Sequence, residues 1–431
     1  MKSFALISCL CLAMLSAAQP PSRVVTHDID NFWTAYDSIT TTQDTTRQLH
    51  FIRTLYIDKG SEGLKAFMDA RDYTAELWVD LISRYPKFWS SIRPNTLSVK
   101  TKAPEIEQSI VRLRELYPDL KEARIYFTVG GLRSGGTTMN DMVLVGTEIA
   151  TGGPGTDVSE FEDNWLAGVF QNQDADNIVA LNIHEYIHTQ QNGEPQDLLG
   201  LAISEGACDF ITELVMGRKM QNNYIQYGRA HEKELKEAFK RDMFTSDYMQ
   251  WMYNGSQAET VADLGYFMGY AICTAYYQQA ENKPQAVKDI IELDYLDTLA
   301  VEHFLEKSGY YEPGTVNKAA LQKDYAAKRP YVLRLEPFPN GSLEADTAVK
   351  EMRIVFSRPM NTHAYSISYG ERGKESFPIT GLGGYSEDGT VLTLKIALQP
   401  DHEYEFLITD RSFRSTEGYP LKPLEVKFKT R

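Results

Sequence analysis

Two histidines four residues apart, His184 and His188, enclose Glu185 in the string His-Glu-Tyr-Ile-His, and no other spacing in the chain is as constraining. At 3.6 residues per turn, positions 184, 185 and 188 share one face only if the segment is an α-helix. The run 177–191 reads as that helix. Asp174 and Asp176 precede it as helix-start residues, Gly193 follows as a stop, and Val179, Ile183, Tyr186 and Ile187 give it an apolar back face. Seventeen residues beyond His188 comes Glu205, in Ser-Glu-Gly-Ala-Cys-Asp, with Asp209 one turn later on the same side of a second expected helix.

These residue types in this pattern point to metal chemistry. Two imidazoles on one helical face can grip one ion, and the carboxylate between them can reach a water beside it. H-E-x-x-H is the layout of zinc hydrolases, with the Glu as general base rather than ligand. Zinc of that kind takes a third protein ligand and keeps one position open; Glu205 is well placed to be the ligand. Asp209 is placed to accept the free N–H of a ligand histidine and so fix its tautomer. Chance alone produces H-E-x-x-H now and then in a chain with eight His. The helix-start residues, the stop, the apolar back face and Asp209 together favour the metal. Cys208 is not needed as a ligand if Glu205 completes the set.

The pairing of His184-Glu185-x-x-His188 with Glu205-x-x-x-Asp209 resembles the gluzincin metallopeptidases. That resemblance implies zinc ligands at His184, His188 and Glu205, a base and proton shuttle at Glu185, and a supporting carboxylate at Asp209. More narrowly, the chain is similar to a family of secreted bacterial Zn-dependent proteases related to the gliding-motility lipoprotein B group. Asn31-Phe32-Trp33-x-Ala35-Tyr36, Gly60-Ser61-x-Gly63-Leu64, Ser204-Glu205-Gly206-Ala207 and Gly265-Tyr266-x-x-Gly269-Tyr270 carry that likeness, over residues 27 to 310. It implies a reaction class and no substrate.

The N-terminus speaks for export. Lys2, the apolar stretch Phe4 to Leu15 and Ser16-Ala17-Ala18 read as a cleavable signal peptide over residues 1–18, cut before Gln19. Leu6-Ile7-Ser8-Cys9 resembles a lipobox, but its apolar run is short, which argues against lipid anchoring. No later segment reaches the ~18 apolar residues of a transmembrane helix. Cys9 and Cys11 leave with the signal. Cys208 and Cys273 remain in apolar helical strings, where a buried free thiol is the default and a bridge between them stays open. Without Lys2 the balance is 43 basic against 59 acidic side chains, or −16, and no basic stripe interrupts it. That composition excludes nucleic acid and anionic membrane surfaces as natural partners.

The expected fold class is α+β: a mostly helical zincin-like domain with a small sheet over residues 19–330, then an all-β Ig-like sandwich over 331–431. Residues 27 to about 120 read as helical, with one helix opened by Pro104 and closed by Pro118. Arg124–Val129 and Met142–Gly146 read as strands around a loop with Gly130, Gly131, Gly135 and Gly136, taken as a mobile turn because it lacks the Lys-Ser/Thr of a phosphate loop. In gluzincin-like enzymes an edge strand binds the substrate backbone, and residues 143–148 are the candidate for it. The string Leu264–Cys273 reads as a buried helix whose Gly265 and Gly269 allow close backbone approach. Tyr266 and Tyr270 on it either fill core space or aim a hydroxyl at the oxyanion of a tetrahedral intermediate; His231 and His303 are open alternatives. From Tyr331, alternating strands at 352–356, 391–396, 403–408 and 425–429 are separated by Pro-Asn-Gly, Glu-Asp-Gly and Glu-Gly turns. Phe356-Ser-Arg-Pro-Met360 and Leu398-x-Pro400-x-x-x-Tyr404 there resemble a bacterial Ig-like domain.

The expectation is a zinc-dependent peptidase, secreted or periplasmic, acting on a peptide or protein substrate. The rival is a non-catalytic cell-envelope or adhesion protein that keeps the scaffold and meets a surface partner through its Ig-like domain. An intact Glu185 favours the enzyme, because a purely structural zinc has no use for that base.

Overall fold

The computed structural model describes residues 22–162, 165–173, 177–255 and 261–431. The signal segment 1–18 and the helix-start residues Asp174 and Asp176 lie outside the described residues. The chain divides into two compact units: residues 1–190 with 211–217, and residues 191–210 with 218–431. Helices predominate, with small sheets, in keeping with an α+β class.

In the first unit β1 (Val24–Val25) leads into α1 (His27–Ile39), α2 (Thr45–Ile52), α3 (Glu62–Arg71), α4 (Ala75–Arg84) and α5 (Pro86–Leu116). Their starts are capped as sequence chemistry predicts: Asp44, Ser61 and Thr74 each accept a backbone N–H from the first turn that follows. Phe32, Trp33, Tyr56, Trp78 and Trp89 form a buried aromatic core among these helices. α5 corrects one expectation. Pro94 and Pro104 both lie inside a single 31-residue helix, so Pro104 opens nothing. The apolar stripe Ile106, Ile110 and Leu113 is buried as expected, and this packing outweighs the cost of proline in the helix interior.

The small sheet follows: β2 (Arg124–Thr128), β3 (Gly136–Met139) and β4 (Met142–Gly146), in the order β1-β2-β4-β3. β2 runs parallel to both β1 and β4, and β3 pairs antiparallel with β4. The expected edge at 143–148 is therefore wrong. β4 is an inner strand with Val143 to Gly146 buried, and β3 is the outer strand of the described sheet. A near-continuous apolar run is what a strand covered on both faces requires, whereas the polar Gly-Thr-Thr of β3 fits an edge.

Nor does the glycine-rich loop between β2 and β3 hang loose. Tyr56 Oη donates to the Val129 carbonyl at 2.7 Å, Trp78 Nε1 donates to the Gly130 carbonyl at 2.8 Å, and Arg133 donates to the Arg71 and Asp72 carbonyls. The buried Glu148 carboxylate accepts the N–H groups of Gly130 at 2.7 Å and Leu132 at 3.2 Å. Burial pushes the Glu148 carboxyl up to about 7 against those stabilising hydrogen bonds. After α6 (Thr147–Ala150) and α7 (Trp165–Asn172) comes α8 (Ile178–His188), which packs on α5 and on β2, β3 and β4.

α9 (Leu198–Met216) begins in the second unit and ends in the first, where Arg112 Nε donates to the Val215 carbonyl at 3.0 Å. The second unit adds α10 (Asn223–Ala230), α11 (Glu232–Asp242), α12 (Leu264–Gln279), α13 (Lys283–Ile291), α14 (Thr298–Ser308) and α15 (Lys318–Lys328). α12 crosses α9 at glycines. A Cβ on Gly269 would stand 1.7 Å from the Ala202 carbonyl oxygen, and one on Gly206 would stand 2.0 Å from the Tyr270 nitrogen. Only two bare backbones fit there. Cys208 and Cys273 are both buried free thiols, so the open question of a bridge resolves in favour of the default.

From β5 (Val332–Glu336) the second unit is all β, with β6 (Glu351–Phe356), β7 (Ile367–Tyr369), β8 (Ile379–Tyr385), β9 (Val391–Ile396), β10 (Glu403–Ile408) and β11 (Leu424–Lys429). They form two antiparallel sheets, β5-β6-β9-β8 and β11-β10-β7, which bury one common core of Met352, Ile354, Leu392, Leu394, Phe406 and Val426 among others. Arg414 ties this region to the preceding helices through a two-point ion pair with Asp247 at 2.5 and 2.7 Å.

Candidate metal centre

α8 supplies the histidine pair because its other face is fixed. Ile183, Tyr186 and Ile187 are fully buried, and the Tyr186 hydroxyl bridges the backbone N–H and carbonyl of Ala123 at 3.0 and 3.2 Å. Gln190, just past the helix, accepts the Lys121 N–H at 2.7 Å. With rotation about the helix axis set by these anchors, His184 and His188 turn their rings to the same point. Their Nε2 atoms are 3.2 Å apart, and the rings meet edge to face. Two ligand nitrogens at ~2.0–2.1 Å from one tetrahedral zinc would stand ~3.3 Å apart. The observed separation therefore fits a shared ion, and a donor set of imidazole nitrogens is one that zinc accepts.

Glu185, between them, is half-buried and is held from the sheet. Thr138 Oγ1 on β3 donates to Glu185 Oε2 at 2.9 Å. Sequence reasoning missed Thr138, because a four-residue Gly-Thr-Thr-Met strand beside four glycines looks like loop. Its only signal was a pair of β-branched residues before the Asn140-Asp141 turn.

On α9 the Glu205 carboxylate accepts a hydrogen bond from the Tyr253 hydroxyl, Oη to Oε1 at 3.0 Å. Asp209 is buried, and its Oδ2 accepts from the Tyr224 hydroxyl at 2.9 Å. Neither tyrosine was singled out from the sequence. Tyr253 sits in a non-helical stretch on a left-handed backbone at φ +56°, and Tyr224 lies on an unremarked amphipathic helix. Tyr266 joins this group, with its ring 5.4 Å from Tyr224 and 6.4 Å from Tyr253. Burial first, and then the Glu205 charge, raises the phenols of Tyr253 and Tyr266; burial and the Asp209 charge raise that of Tyr224. All three stay protonated donors at neutral pH. Tyr270, one turn from Tyr266, is engaged elsewhere: its hydroxyl accepts from Arg229 at 2.9 Å, and the guanidinium lies 5.4 Å above its ring. His231 stacks on Tyr227, and His303 is exposed beside Glu306.

Cys208 follows Glu205 by less than one helical turn. No helix of the described residues is long and apolar enough to cross a membrane.

Residues 157–297 match the model of a family described as predicted Zn-dependent protease, DUF2268, and this stretch holds both histidines, Glu185, Glu205 and Asp209. A search of curated proteins finds no match. Among solved structures, CopC from Methylosinus trichosporium OB3b aligns at 18% identity over 24% of this chain and 93% of its own, with a TM-score of 0.19. The S-layer protein SbsC aligns at 12% identity over 76% of this chain and 45% of its own, with a TM-score of 0.18. At such TM-scores neither likeness bears on fold or function.

Proposed function

We propose that the chain is an exported zinc-dependent peptidase, with His184, His188 and Glu205 as metal ligands and Glu185 as general base. The observation that carries this reading is the convergence of the two Nε2 atoms at 3.2 Å on the helical face that also presents Glu185. The family match over residues 157–297 supports it independently. Bound zinc would supply Lewis acidity toward a scissile carbonyl and would bring a neighbouring water's pKa toward ~7. The chain's own groups do the rest. Glu185 takes the proton of the attacking water as its oxygen bonds to the carbonyl carbon, then hands that proton to the amine nitrogen as the C–N bond breaks. Tyr253 orients the Glu205 carboxylate by donating to its Oε1. Tyr266, held protonated near Glu205, is the better placed of the two α12 tyrosines to donate to an oxyanion. Asp209 fixes a ligand histidine's tautomer from a buried position. β3, the outer strand of the described sheet, offers an extended peptide its edge. The signal segment would direct export, and the all-β region would act as an Ig-like spacer or surface-binding appendage.

A second reading has its own observation. Cys208 is a buried thiol three residues after Glu205 on α9, and a thiolate ligand from it would give a closed structural site without turnover. One set of variants separates the two. In the peptidase, Glu185→Gln keeps zinc and loses hydrolysis of a casein or peptide pool, Glu205→Gln loses zinc, and Cys208→Ser keeps both. Zinc lost in Cys208→Ser and kept in Glu205→Gln, with no hydrolysis by the wild type, would establish the structural site instead.

A further inference from the structure

Resting on that reading, we infer that Thr138 is a positioning residue for the general base, tying Glu185 to the outer strand of the sheet. Three observations converge on it. First, its hydroxyl donates to Glu185 Oε2 at 2.9 Å and lies 3.4 Å from the Glu185 carbonyl oxygen. A carboxylate on a helical glutamate has several rotamers to choose from, and a hydroxyl fixed on a neighbouring strand selects one of them. Committing Oε2 to Thr138 leaves Oε1 for the travelling proton, so the two oxygens acquire separate duties.

Second, the strand itself cannot drift. β3 is in register with β4 from Gly136 opposite Val145 to Met139 opposite Met142, and the Gly146 N–H donates to the Gly135 carbonyl at 3.1 Å. Behind it, the β2–β3 loop is clamped through Gly130 and Leu132 to the buried Glu148. A hydroxyl on such a strand is a fixed reference point for α8, which packs directly on β3.

Third, the pairing places Thr138 at the junction of two functions. Gly135 and Gly146 form a hydrogen-bonded pair, so with strict alternation Thr138 opposite Val143 occupies a non-hydrogen-bonded position. Its main-chain N–H and carbonyl point away from β4, while its side chain, perpendicular to the sheet, meets Glu185. An extended peptide that adds to β3 bonds the same residue that holds the base, so docking and proton transfer share one register.

The test compares Thr138→Val, which keeps shape and β-branching but has no donor, with Thr138→Ser, which keeps the donor. In the full exported chain, Thr138→Val lowers kcat about 10- to 100-fold, as small misplacements of a catalytic group do. KM and zinc per chain stay within about twofold of wild type, and Thr138→Ser recovers most of the rate. Thr138→Val with wild-type kcat, beside an inactive Glu185→Gln, would overturn the inference and leave the peptidase reading standing. A readout without turnover comes from a urea-unfolding cycle of Thr138→Val and Glu185→Met in metal-free protein. A hydrogen-bonded pair couples by about tenfold in the unfolding constant; additive effects would overturn the inference. If the zinc-loaded wild type hydrolyses no peptide, the proposed function falls and the cycle alone decides whether Thr138 holds Glu185.

Discussion

Replacing Gly269 by Ala pits two physical effects of opposite sign against each other. In a helix interior, Gly to Ala is worth about 1 kcal/mol of added stability through backbone entropy. Packing says the reverse. The new Cβ would stand 1.7 Å from the Ala202 carbonyl oxygen, 2.4 Å from its carbon and 3.0 Å from the Ile203 nitrogen. All three are main-chain atoms of α9, so no rotamer change relieves the clash. To restore even a 3.0 Å contact, the helices must part by about 1.3 Å along a tightly packed crossing. Overpacking costs about 1–3 kcal/mol, and a backbone-on-backbone clash belongs at the upper end, so the net effect is a loss of about 2 kcal/mol. For a protein of 431 residues that lowers Tm by about 2 °C. Circular dichroism melts of wild type and Gly269→Ala at equal protein and zinc concentration read this directly. Gly153→Ala is the control, since a Cβ there meets nothing within 4 Å and stability should hold within about 0.5 kcal/mol. A Gly269→Ala melt at or above the wild-type temperature would refute the crossing of α9 and α12.

Three further outcomes follow from particular contacts. Burial holds the Glu148 carboxyl at about 7 against its ordinary 4.5, so the folded state holds a proton that the unfolded state gives up earlier. Its contribution is fully present below pH 4.5 and falls away as pH rises to about 7, a loss of roughly 3 kcal/mol. Urea midpoints between pH 5 and 8 should therefore fall less steeply in Glu148→Gln than in wild type; parallel slopes would rule this out. Tyr253→Phe removes the donor on Glu205 and should weaken zinc binding about tenfold in a competitive chelator titration, whereas unchanged affinity would separate Tyr253 from the metal. Arg414→Ala strands Asp247, whose ion-pair partner is only 11% exposed, and should cost about 3 kcal/mol in chemical denaturation. A cost near zero would mean that the pair is solvated.

How much of this was legible in the sequence depends on which forces leave periodic traces. α8 was readable because its apolar back face and its histidines obey one period, and both emerge where that period puts them. The β strands at 391–396 and 403–408 were readable to the residue, since alternation and turn residues bound them on both sides. β8, Ile-Thr-Gly-Leu-Gly-Gly-Tyr, was not: its three glycines erase the pattern, and its pairing with β9 is bulged. Proline misled at position 104, where tertiary packing overrides a local rule. β3 was missed and β4 mistaken for the edge because apolar content reports burial and not the order of strands in a sheet. The hydroxyls of Thr138, Tyr224 and Tyr253 reach carboxylates 47, 15 and 48 residues distant in sequence, and no local pattern announces such pairs.

On the proposed reading the histidine pair of α8 binds a zinc ion. Mass spectrometry of residues 19–431, purified without chelators and weighed under native and denaturing conditions, tests it most directly. About one zinc per chain is expected in the wild type and in Glu185→Gln, and none in His188→Ala. A wild-type chain that carries no metal even after zinc is restored would contradict it.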